Sequence, residues 1–429
     1  MPISKSNQGK RSRNHPRQPQ APPIRQEKWE PDGPCFIQHL PKDLFIEILS
    51  WLPAKTILTC KFVCKTWLLV ISEPRLISLH HSRSAAGILI QVWGSPRNRN
   101  FARRLLFTQV DKCAGDSDNL VMEKMTFTTK NTAPVNVFEV VNSCNGFICL
   151  YGTHVSSMIV CNPLLNEYIT VLTTNNNKLG NLGGLGWSAV TNEYKLLRTF
   201  YRAPGQRNTL EAEVYTIGSG VWRSIGKAPT DRVVLPFNAF LHGVLHFAPV
   251  YSTGSRLIHC FDFEREQFRA LLPPSSDQLK LKFNIGSVTL GVWETCLTCC
   301  VSDVDATKFE LWTMKEYGVG ESWTKALVIE NVYPREFLAD SYEPILFLDD
   351  GEILMVYNDR IIVRYNPKTK TFKKTKLIQT RLNSFQSVAY SPCFESLLRS
   401  FKGEEVRNMR GHAGKQAKLF GREMHGSAG

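Results

Sequence analysis

Residues 40–67 read LPKDLFIEILSWLPAKTILTCKFVCKTW and hold more apolar side chains than 28 residues can bury against one another. The first apolar residues recur at helical spacing: Leu44, Ile48 and Leu49. The Leu52-Pro53 pair ends this helix, because a proline lacks the N–H that the helical ladder requires. A second apolar set follows at the same period: Ile57, Leu58, Phe62 and Val63. The segment therefore predicts a compact group of short amphipathic helices that needs another surface to cover it.

The positive charge of the chain is concentrated at its two ends. The 429 residues, 43% of them hydrophobic, suffice for two domains or for one large domain with an appendage. The formal net charge is +14, yet residues 1–34 and 399–429 each carry seven Lys or Arg against three acids. Only +6 remains between these segments, so the folded body gives little support for nucleic-acid binding. Both end segments have the composition of disordered tails, and residues 10–13 are of the kind found in nuclear import signals.

The twelve cysteines are spread along the chain mostly without paired spacing, and several lie inside apolar runs. This distribution is typical of reduced cysteines that act as small buried apolar residues in intracellular proteins. The N-terminal segment lacks the apolar stretch of a secretory signal, and no run approaches the length of a membrane span. We therefore expect a protein of the nucleus, the cytoplasm or both, with no membrane partner.

From residue 88 onward, short strands alternate with turns rich in Gly, Asn, Asp and Pro. One unit recurs there, a strand, a polar turn and a second short strand that carries an aromatic residue: Tyr168, Trp222, Phe268, Trp323 and Phe372. Successive aromatic residues are 54, 46, 55 and 49 positions apart, a period typical of four-stranded, kelch-like propeller blades. Residues 88–398 are therefore expected to form an all-β propeller of about six blades, with a weakly marked first blade at residues 88–140.

Turns between the strands are marked in two ways. Three Gly-containing hairpins are expected, at Asn145-Gly146, His242-Gly243 and Asp350-Gly351. The Asn-Gly and Asp-Gly pairs favour tight turns, because both turn residues need positive φ. Long polar connections are expected at residues 94–100, 173–184, 202–208 and 273–278.

No set of residues predicts catalysis, a metal site or a cofactor. Cys296 and Cys299 form a CxxC pair, but no second pair lies at zinc-finger spacing. His242 and His246 are four apart on a segment with strand character, so they do not share a helical face. The glycine-rich run 180–186 lacks the Lys-Ser/Thr of a phosphate loop.

Residues 40–67 resemble the plant form of the F-box. The matches, all in register, are Leu40-Pro41, Asp43-Leu44, residues 47–49, Leu52-Pro53, Lys55, Leu58, Lys61, residues 63–65 and Trp67. Thr59-Cys60 departs from the usual Arg-Phe, and Phe62 stands where a smaller residue is common.

The second part of the chain resembles the F-box-associated kelch-like propeller of the same plant proteins. The residues that carry this resemblance are 143–149, Asn162-Pro163, Gly186-Trp187, 190–195, 240–246 and, most specifically, 311–323. Ser188 replaces the aspartate that usually follows the aromatic residue. The resemblance implies a multidomain chain, a small all-α three-helix F-box followed by an all-β propeller.

This resemblance implies a substrate-recognition subunit of an SCF-type ubiquitin ligase, with no catalytic role of its own. In such ligases the F-box docks on a Skp-type adaptor, which joins a cullin and a RING subunit, and the propeller holds a target protein for ubiquitination and proteasomal degradation. The residues implied in adaptor contact are Leu40, Pro41, Leu44, Ile48, Leu49, Leu52, Pro53, Val63 and Trp67. Some of these are expected to hold the helices together instead, Val63 and Ile48 above all.

The expected organisation is a disordered tail (1–34), the F-box (35–80), a linker (81–87) that separates the two functions, the propeller (88–398) and a second disordered tail (399–429). Two other function classes stay open. A non-degradative scaffold, or a glycan- or protein-binding module, would hold a partner without changing its turnover. A kelch-type copper oxidase would need Tyr, His and Cys converging on the propeller axis, whereas the Cys and His here occupy ordinary strand positions.

Overall fold

The computed structural model describes residues 40–84, 86–92, 104–109, 119–121, 123–125, 138–152, 157–173, 180–201, 210–229, 239–247, 258–274, 285–303, 308–330, 342–348, 350–358, 360–378 and 385–408. The chain divides into two compact units, Met1–Phe45 and Ile46–Gly429. The tail expected at residues 1–34, the basic residues 10–13 and residues 409–429 lie outside the described residues. So do the expected connections 94–100 and 202–208 and parts of 173–184 and 273–278.

Four short helices begin the described chain: α1 (Lys42–Ser50), α2 (Ala54–Cys60), α3 (Lys65–Ile71) and α4 (Pro74–Arg83). Proline sets two of the boundaries, because Pro53 precedes α2 and Pro74 occupies the first turn of α4, where a missing N–H costs nothing. The all-α prediction is confirmed, and α4 is a fourth helix where three were expected. Residues 46–84, which belong to the second unit, are called the helical module below.

The remaining elements are almost all strands. In chain order the first are β1 (Gly87–Val92), β2 (Arg104–Gln109), β3 (Asn119–Val121), β4 (Glu123–Met125), β5 (Phe138–Cys144), β6 (Phe147–Gly152), β7 (Ser157–Asn162), β8 (Glu167–Leu172), β9 (Gly180–Ser188), β10 (Glu193–Tyr201), β11 (Leu210–Thr216), β12 (Trp222–Ala228) and β13 (Ala239–Leu241). They are followed by β14 (Val244–Phe247), β15 (Ile258–Asp262), β16 (Gln267–Leu271), β17 (Ile285–Trp293), β18 (Cys296–Asp303), β19 (Lys308–Met314), β20 (Trp323–Glu330), β21 (Tyr342–Phe347), β22 (Ile353–Tyr357), β23 (Ile361–Asn366), β24 (Thr371–Ile378), β25 (Phe385–Tyr390) and β26 (Arg407–Asn408). A short helix, α5 (Leu397–Ser400), lies between the last two strands.

Within the described residues these strands form six sheets, each of them one blade of a β-propeller, as the sequence predicts. From the axis outward, blade 1 has the order β25-β1-β2-β4, and blades 2 to 6 follow chain order from β5, β9, β13, β17 and β21. β26 extends blade 2 antiparallel to β8, and β3 extends blade 6 parallel to β24. Stacked blades cover one another's faces, so the apolar core lies between neighbouring sheets.

The ring of blades closes through a strand from late in the chain. β25 pairs antiparallel with β1, from Gly87 opposite Tyr390 to Val92 opposite Phe385. Early and late strands of the propeller are therefore joined by backbone hydrogen bonds in one sheet. Because blade 1 takes its innermost strand from the far end of the domain, residues 88–140 alone carry only part of the blade pattern.

The recurring unit seen in the sequence is the outer hairpin of a blade. In three blades the turn has the same construction, since the side-chain oxygen of Asn162, Asp262 or Asn366 accepts the N–H groups two and three residues further on. Each turn then ends on a residue with left-handed backbone: Asn166 (φ 58°), Glu266 (φ 54°) and Lys370 (φ 55°). The repeat therefore extends to the chemistry of the turns.

The inner hairpins largely confirm the glycine-based prediction. Asn145 and Gly146 have φ of 48° and 80°, and His242 and Gly243 have φ of 54° and 73°. In the third pair Gly351 alone has positive φ, 84°, and the carboxylate of Asp350 accepts the N–H of Glu352 at 2.9 Å. That turn is held by a side chain instead of a second left-handed residue.

Both expected ends of the propeller domain need correction. Helix α4 continues to Arg83, so residues 81–83 are helical, and helices α2–α4 belong to the same compact unit as the propeller. Residues 399–408 were expected in a disordered tail, but they contain the end of α5 and β26. Leu397 and Phe401 are buried in the propeller core, which holds this segment in place. Residues 391–408 are called the C-terminal strap below.

Candidate functional site

Helix α1 is apolar on two faces. Phe45, Ile46 and Leu49 are buried, whereas Leu44 and Ile48, which are four residues apart, are more than half exposed. Trp51 directly follows the helix and continues the exposed row at the next helical step. A short helix that keeps one apolar face in solvent has the pattern of an element that docks on another protein.

The structure separates the nine residues implied in adaptor contact into three groups. Six are exposed: Leu40, Pro41, Leu44, Ile48, Pro53 and Val63. Leu52 and Trp67 are half-buried, and Leu49 is buried at 1% exposure. The expectation that Ile48 and Val63 hold the helices together is wrong, because they are 52% and 57% exposed while Leu49 takes the interior position.

Three further large apolar side chains are exposed on the helical module and were not among the predicted contacts: Trp51, Phe62 and Leu69. Trp51 could have been predicted from the sequence. Ile48 follows Leu44 by four residues and Trp51 follows Ile48 by three, so the three share one helical face. Ile57 and Phe62 belong to the same apolar set in the sequence, yet Ile57 is fully buried and Phe62 points to solvent. Apolar periodicity does not distinguish a covered face from an uncovered one.

Trp51 is oriented by charged neighbours. The Arg83 guanidinium lies 4.5 Å from the Trp51 ring centre, and Arg83 also pairs with the Glu47 carboxylate at 2.8 Å. The indole N–H of Trp51 donates to Glu47 at 3.3 Å. Hydrogen bonds from Arg83 and Trp51 lower the pKa of Glu47, so the carboxylate stays ionised and the cluster persists at neutral pH. The indole is thereby held at the end of α1 before any partner arrives.

The same module contacts the C-terminal strap. The ring of Phe394 meets the His80 imidazole edge-on at 5.0 Å between centres, and Arg399 donates to the carbonyl of Ser72. The strap in turn lies on blade 2, where the Asn162 amide donates to the carbonyl of Cys393 at 2.8 Å. Helices α3 and α4 and the propeller therefore share an interface within one compact unit.

The side chains considered for metal or catalytic chemistry have structural surroundings. Cys299 is buried in β18, and burial raises the pKa of its thiol to about 12. His246 bonds the Ala239 carbonyl at 3.1 Å and the Tyr317 hydroxyl at 2.8 Å. Burial lowers the pKa of His246 to about 4, so it is neutral at physiological pH. Within the described ranges, no three His, Cys, Asp or Glu side chains are placed to share a metal ion.

A cavity of about 440 Å³ lies where inner strands of several blades converge. Its lining includes polar and aromatic groups from five blades and from α4: His81, Asn145, Phe240, Glu294, Phe347 and Tyr390. No helix among the described residues is long and apolar enough to cross a membrane.

Comparison with known proteins agrees with this architecture. The F-box domain profile matches residues 37–79, and the profile of the F-box associated beta propeller domain matches residues 103–397. The chain therefore belongs to the family of F-box proteins that carry an F-box associated β-propeller. The propeller-domain match ends at residue 397, the first residue of α5. Residues 398–408 of the C-terminal strap therefore lie beyond the matched region.

Three curated relatives are proteins of Arabidopsis thaliana. F-box protein At3g07870 is 28% identical, and the match covers 79% of this chain and 87% of that protein. F-box/kelch-repeat protein At3g23880 is 23% identical over 76% of this chain and 88% of its own length. F-box protein CPR1 is 25% identical over 79% of this chain and 84% of its own length. Membership in this family is consistent with a substrate-receptor role, and such proteins are typically adaptors without catalytic activity.

Proposed function

We propose that this chain is the substrate-recognition subunit of an SCF-type ubiquitin ligase. The observation that carries the proposal is a set of large apolar side chains that the helical module leaves exposed: Ile48, Trp51, Phe62, Val63 and Leu69. Side chains of this size on short helices favour a protein partner, and the F-box match favours a Skp-type adaptor as that partner. Leu40 and Leu44 of the first unit are exposed as well.

Adaptor affinity in this proposal comes from a few buried anchors. Burial of a large apolar side chain is worth about 1.5–3 kcal/mol, so two or three of these residues suffice for a stable interface. Trp51 is the strongest candidate, because an indole buries a large area and Glu47 and Arg83 already fix its orientation. Through the adaptor, the chain joins a cullin and a RING subunit and acts by positioning its target.

The propeller is the target-binding part of the proposal. The strap contacts the propeller at turns between first and second strands and at turns between third and fourth strands, around Gly146, Glu167 and Gly218. Because the strands are antiparallel, all other connections between them start from the opposite face. We place the target protein on that opposite face, because the strap contacts just named lie on the face of the hairpin turns.

The nucleus, the cytoplasm or both are the proposed location. The ten cysteines of the described residues are all free thiols, which supports a reducing compartment. Fractionation of cells that express the tagged full chain tests this proposal, and recovery in the secretory pathway would refute it.

Co-purification with a plant Skp-type adaptor tests the docking proposal. The full chain is expected to bind the adaptor, and Ile48→Ala and Trp51→Ala are each expected to weaken binding about 10- to 100-fold, because every 1.4 kcal/mol is a factor of ten. Leu172→Ala and Val221→Ala are matched controls, since both residues are exposed apolar side chains of the propeller. Absence of binding by the full chain, or equal binding by the Ile48→Ala/Trp51→Ala variant, contradicts the proposal.

Target turnover separates a ligase receptor from a non-degradative scaffold. Proteins captured by the full chain are expected to become more abundant when the Ile48→Ala/Trp51→Ala variant replaces it in cells. Captured proteins with unchanged half-lives would favour the scaffold. Point variants suit this comparison better than deletion of residues 38–78, because that deletion would remove Lys61 and Ser72, which contact the strap residues Phe394 and Arg399.

A further inference from the structure

We propose that the C-terminal strap is an intramolecular clamp that holds the helical module in one fixed orientation on the propeller. The strap is gripped on one side by the module and anchored on the other side in blades 2 and 3. Its mechanical role is separate from adaptor docking and from target binding, because its contact residues belong to neither surface proposed above.

The module grips the strap at several separated points. The centre of the Phe394 ring lies 5.0 Å from that of the His80 imidazole and 5.6 Å from the Lys61 ammonium. Arg399 donates to the Ser72 carbonyl at the end of α3, and the His81 imidazole bonds the carbonyl of Pro392. Because these contacts involve the ends of α2 and α3 and the body of α4, rotation of the module breaks several of them together.

His80 also makes hydrogen bonds within the helical module. Its Nε2 lies 2.9 Å from the Leu52 carbonyl and its Nδ1 lies 3.1 Å from the Ser84 hydroxyl. Burial lowers the pKa of this imidazole, so the ring that faces Phe394 is neutral at physiological pH. The contact with Phe394 is therefore an apolar packing contact that ionic strength does not weaken.

Blade 2 anchors the first half of the strap through side chains. The Asn162 amide donates to the carbonyls of Cys393 and Glu395, both at 2.8 Å. The Glu167 carboxylate accepts from the Ser396 hydroxyl at 2.9 Å and from the Leu397 N–H at 2.7 Å. These bonds tie strap residues to positions more than two hundred residues earlier in the sequence.

Blades 2 and 3 anchor the second half. Phe401 is buried, and its ring centre lies 5.1 Å from that of Phe147 and 5.2 Å from that of Tyr194. Glu404 accepts from the Tyr215 hydroxyl at 2.5 Å and from the N–H of Gly218 at 2.9 Å. Because both halves of the strap are fixed on the propeller, the helical module that packs on the strap is held in a fixed orientation relative to the blades.

The consequence of the clamp rests on the proposed ligase function. Helix α4 ends at Arg83 and β1 begins at Gly87, and this direct connection along the chain does not by itself fix the orientation of the module. With the strap in place, the adaptor-bound module and the target-bound propeller keep a constant geometry. A constant geometry restricts ubiquitin transfer to lysines at a fixed place relative to the propeller.

Pulsed electron resonance on the full chain tests the clamp without any ligase component. Spin labels carried by genetically encoded residues replace Lys65 on α3 and Lys370 on the outer hairpin of blade 6, both exposed. The unaltered strap is expected to give one narrow distance distribution. The Phe394→Ala/Arg399→Ala variant is expected to give a broad distribution with loss of that single maximum.

Matched variants keep the test decisive. Leu398→Ala removes an exposed side chain of the same short helix and is expected to leave the distance distribution unchanged. Lys61→Ala loosens the grip from the module side, without touching the propeller core, and is expected to broaden the distribution less than the double variant. A distribution that stays narrow in both Lys61→Ala and Phe394→Ala/Arg399→Ala overturns the proposal.

A reconstituted ligase gives the second readout. With adaptor, cullin and RING subunits present, ubiquitinated lysines of the chain and its target are mapped by mass spectrometry. With the unaltered strap, few lysines are expected to be ubiquitinated. The Phe394→Ala/Arg399→Ala variant is expected to ubiquitinate a larger set of lysines while binding the adaptor with unchanged affinity. An unchanged acceptor set would contradict the consequence for transfer, whereas absence of adaptor binding would refute the proposed function and leave the resonance result valid.

Discussion

At the scale of single residues, the propeller shows one turn built from two different side chains. Asn162, Asp262 and Asn366 occupy equivalent positions, and each accepts two backbone N–H groups. Asp262 also pairs with Arg265 at 3.0 Å and with Arg269 at 2.8 Å. Burial raises the pKa of Asp262, and bonds from Arg265 together with the charge of Arg269 outweigh that effect and hold the pKa below its ordinary value of 3.8.

Asp262→Asn is therefore expected to keep the turn and to remove only the ion pairs. Both arginines are largely solvent-exposed, so the cost at neutral pH is about 0.5–1 kcal/mol of unfolding free energy. Because the folded-state pKa lies below 3.8, the carboxylate contributes fully above that pH, and its contribution is lost as the pH falls through the folded-state value. The difference in unfolding free energy between the unaltered protein and Asp262→Asn is therefore expected to become smaller at acidic pH. Denaturant unfolding of both proteins at neutral and acidic pH measures it. A difference that grows on acidification contradicts the assignment.

Asp262→Ala provides the matched comparison. It removes the turn acceptor as well as the charge, so two backbone N–H groups lose their partner. An additional loss of about 1–2 kcal/mol relative to Asp262→Asn is expected.

At the scale of elements, the aromatic period of the sequence has a structural basis between blades. The Trp222 indole donates to the carbonyl of Leu172 at 2.9 Å, and the Trp323 indole donates to the carbonyl of Leu272 at 2.9 Å. In each case the outermost strand of one blade is tied to the end of the preceding blade. Two of the aromatic residues that recur in the sequence therefore form hydrogen bonds between neighbouring blades.

Two inner hairpins offer a matched test of the strap contact. Gly146 and Gly351 have φ of 80° and 84°, but a Cβ at Gly146 would lie 2.2 Å from the Cβ of Cys393, whereas a Cβ at Gly351 meets nothing within 4 Å. Gly351→Ala is expected to cost about 1–2 kcal/mol from left-handed backbone alone. Gly146→Ala is expected to cost about 1–3 kcal/mol more, because the strap must move. Thermal unfolding of the two variants measures their losses of stability. Equal losses for Gly146→Ala and Gly351→Ala would show that the strap does not pack closely against the hairpin at Gly146.

At the scale of the whole molecule, two late segments complete the fold. β25 closes the ring of blades, and the strap then covers the hairpins of blades 2 and 3 with Leu397 and Phe401 in the core. The chain that follows β25 is therefore part of the folded body as far as Asn408.

A chain shortened to end at Asn408 keeps every described residue of the strap and serves as the reference for stability. A chain that ends at Tyr390 keeps β25 but loses both buried strap residues, each worth about 1.5–3 kcal/mol, so it is expected to be several kcal/mol less stable. Calorimetry of the two shortened proteins measures this. Equal unfolding temperatures for the Tyr390 and Asn408 forms would contradict the placement of the strap in the core.

Much of the architecture follows from the sequence because it is local. Prolines, helical spacing and alternating strands predict the helices and the blades, and glycine-containing pairs predict the inner hairpins. The blade count of about six follows from a period that each blade repeats independently. Of the residues expected at the adaptor site, Leu44, Ile48 and Val63 are exposed and Leu49 is buried, and their contact with an adaptor stays a prediction.

The sequence by itself determined the class of each part, an apolar helical segment followed by repeated strand units, since each pattern depends on residues only a few positions apart. Only the tertiary structure decided which face of the apolar helix α1 is covered, and that residues 81–83 and 399–408 belong to the folded body. These outcomes depend on contacts such as Asn162 with Cys393, which join positions 231 residues apart. Local patterns record that a side chain is apolar, whereas its burial is decided by the distant element that packs on it.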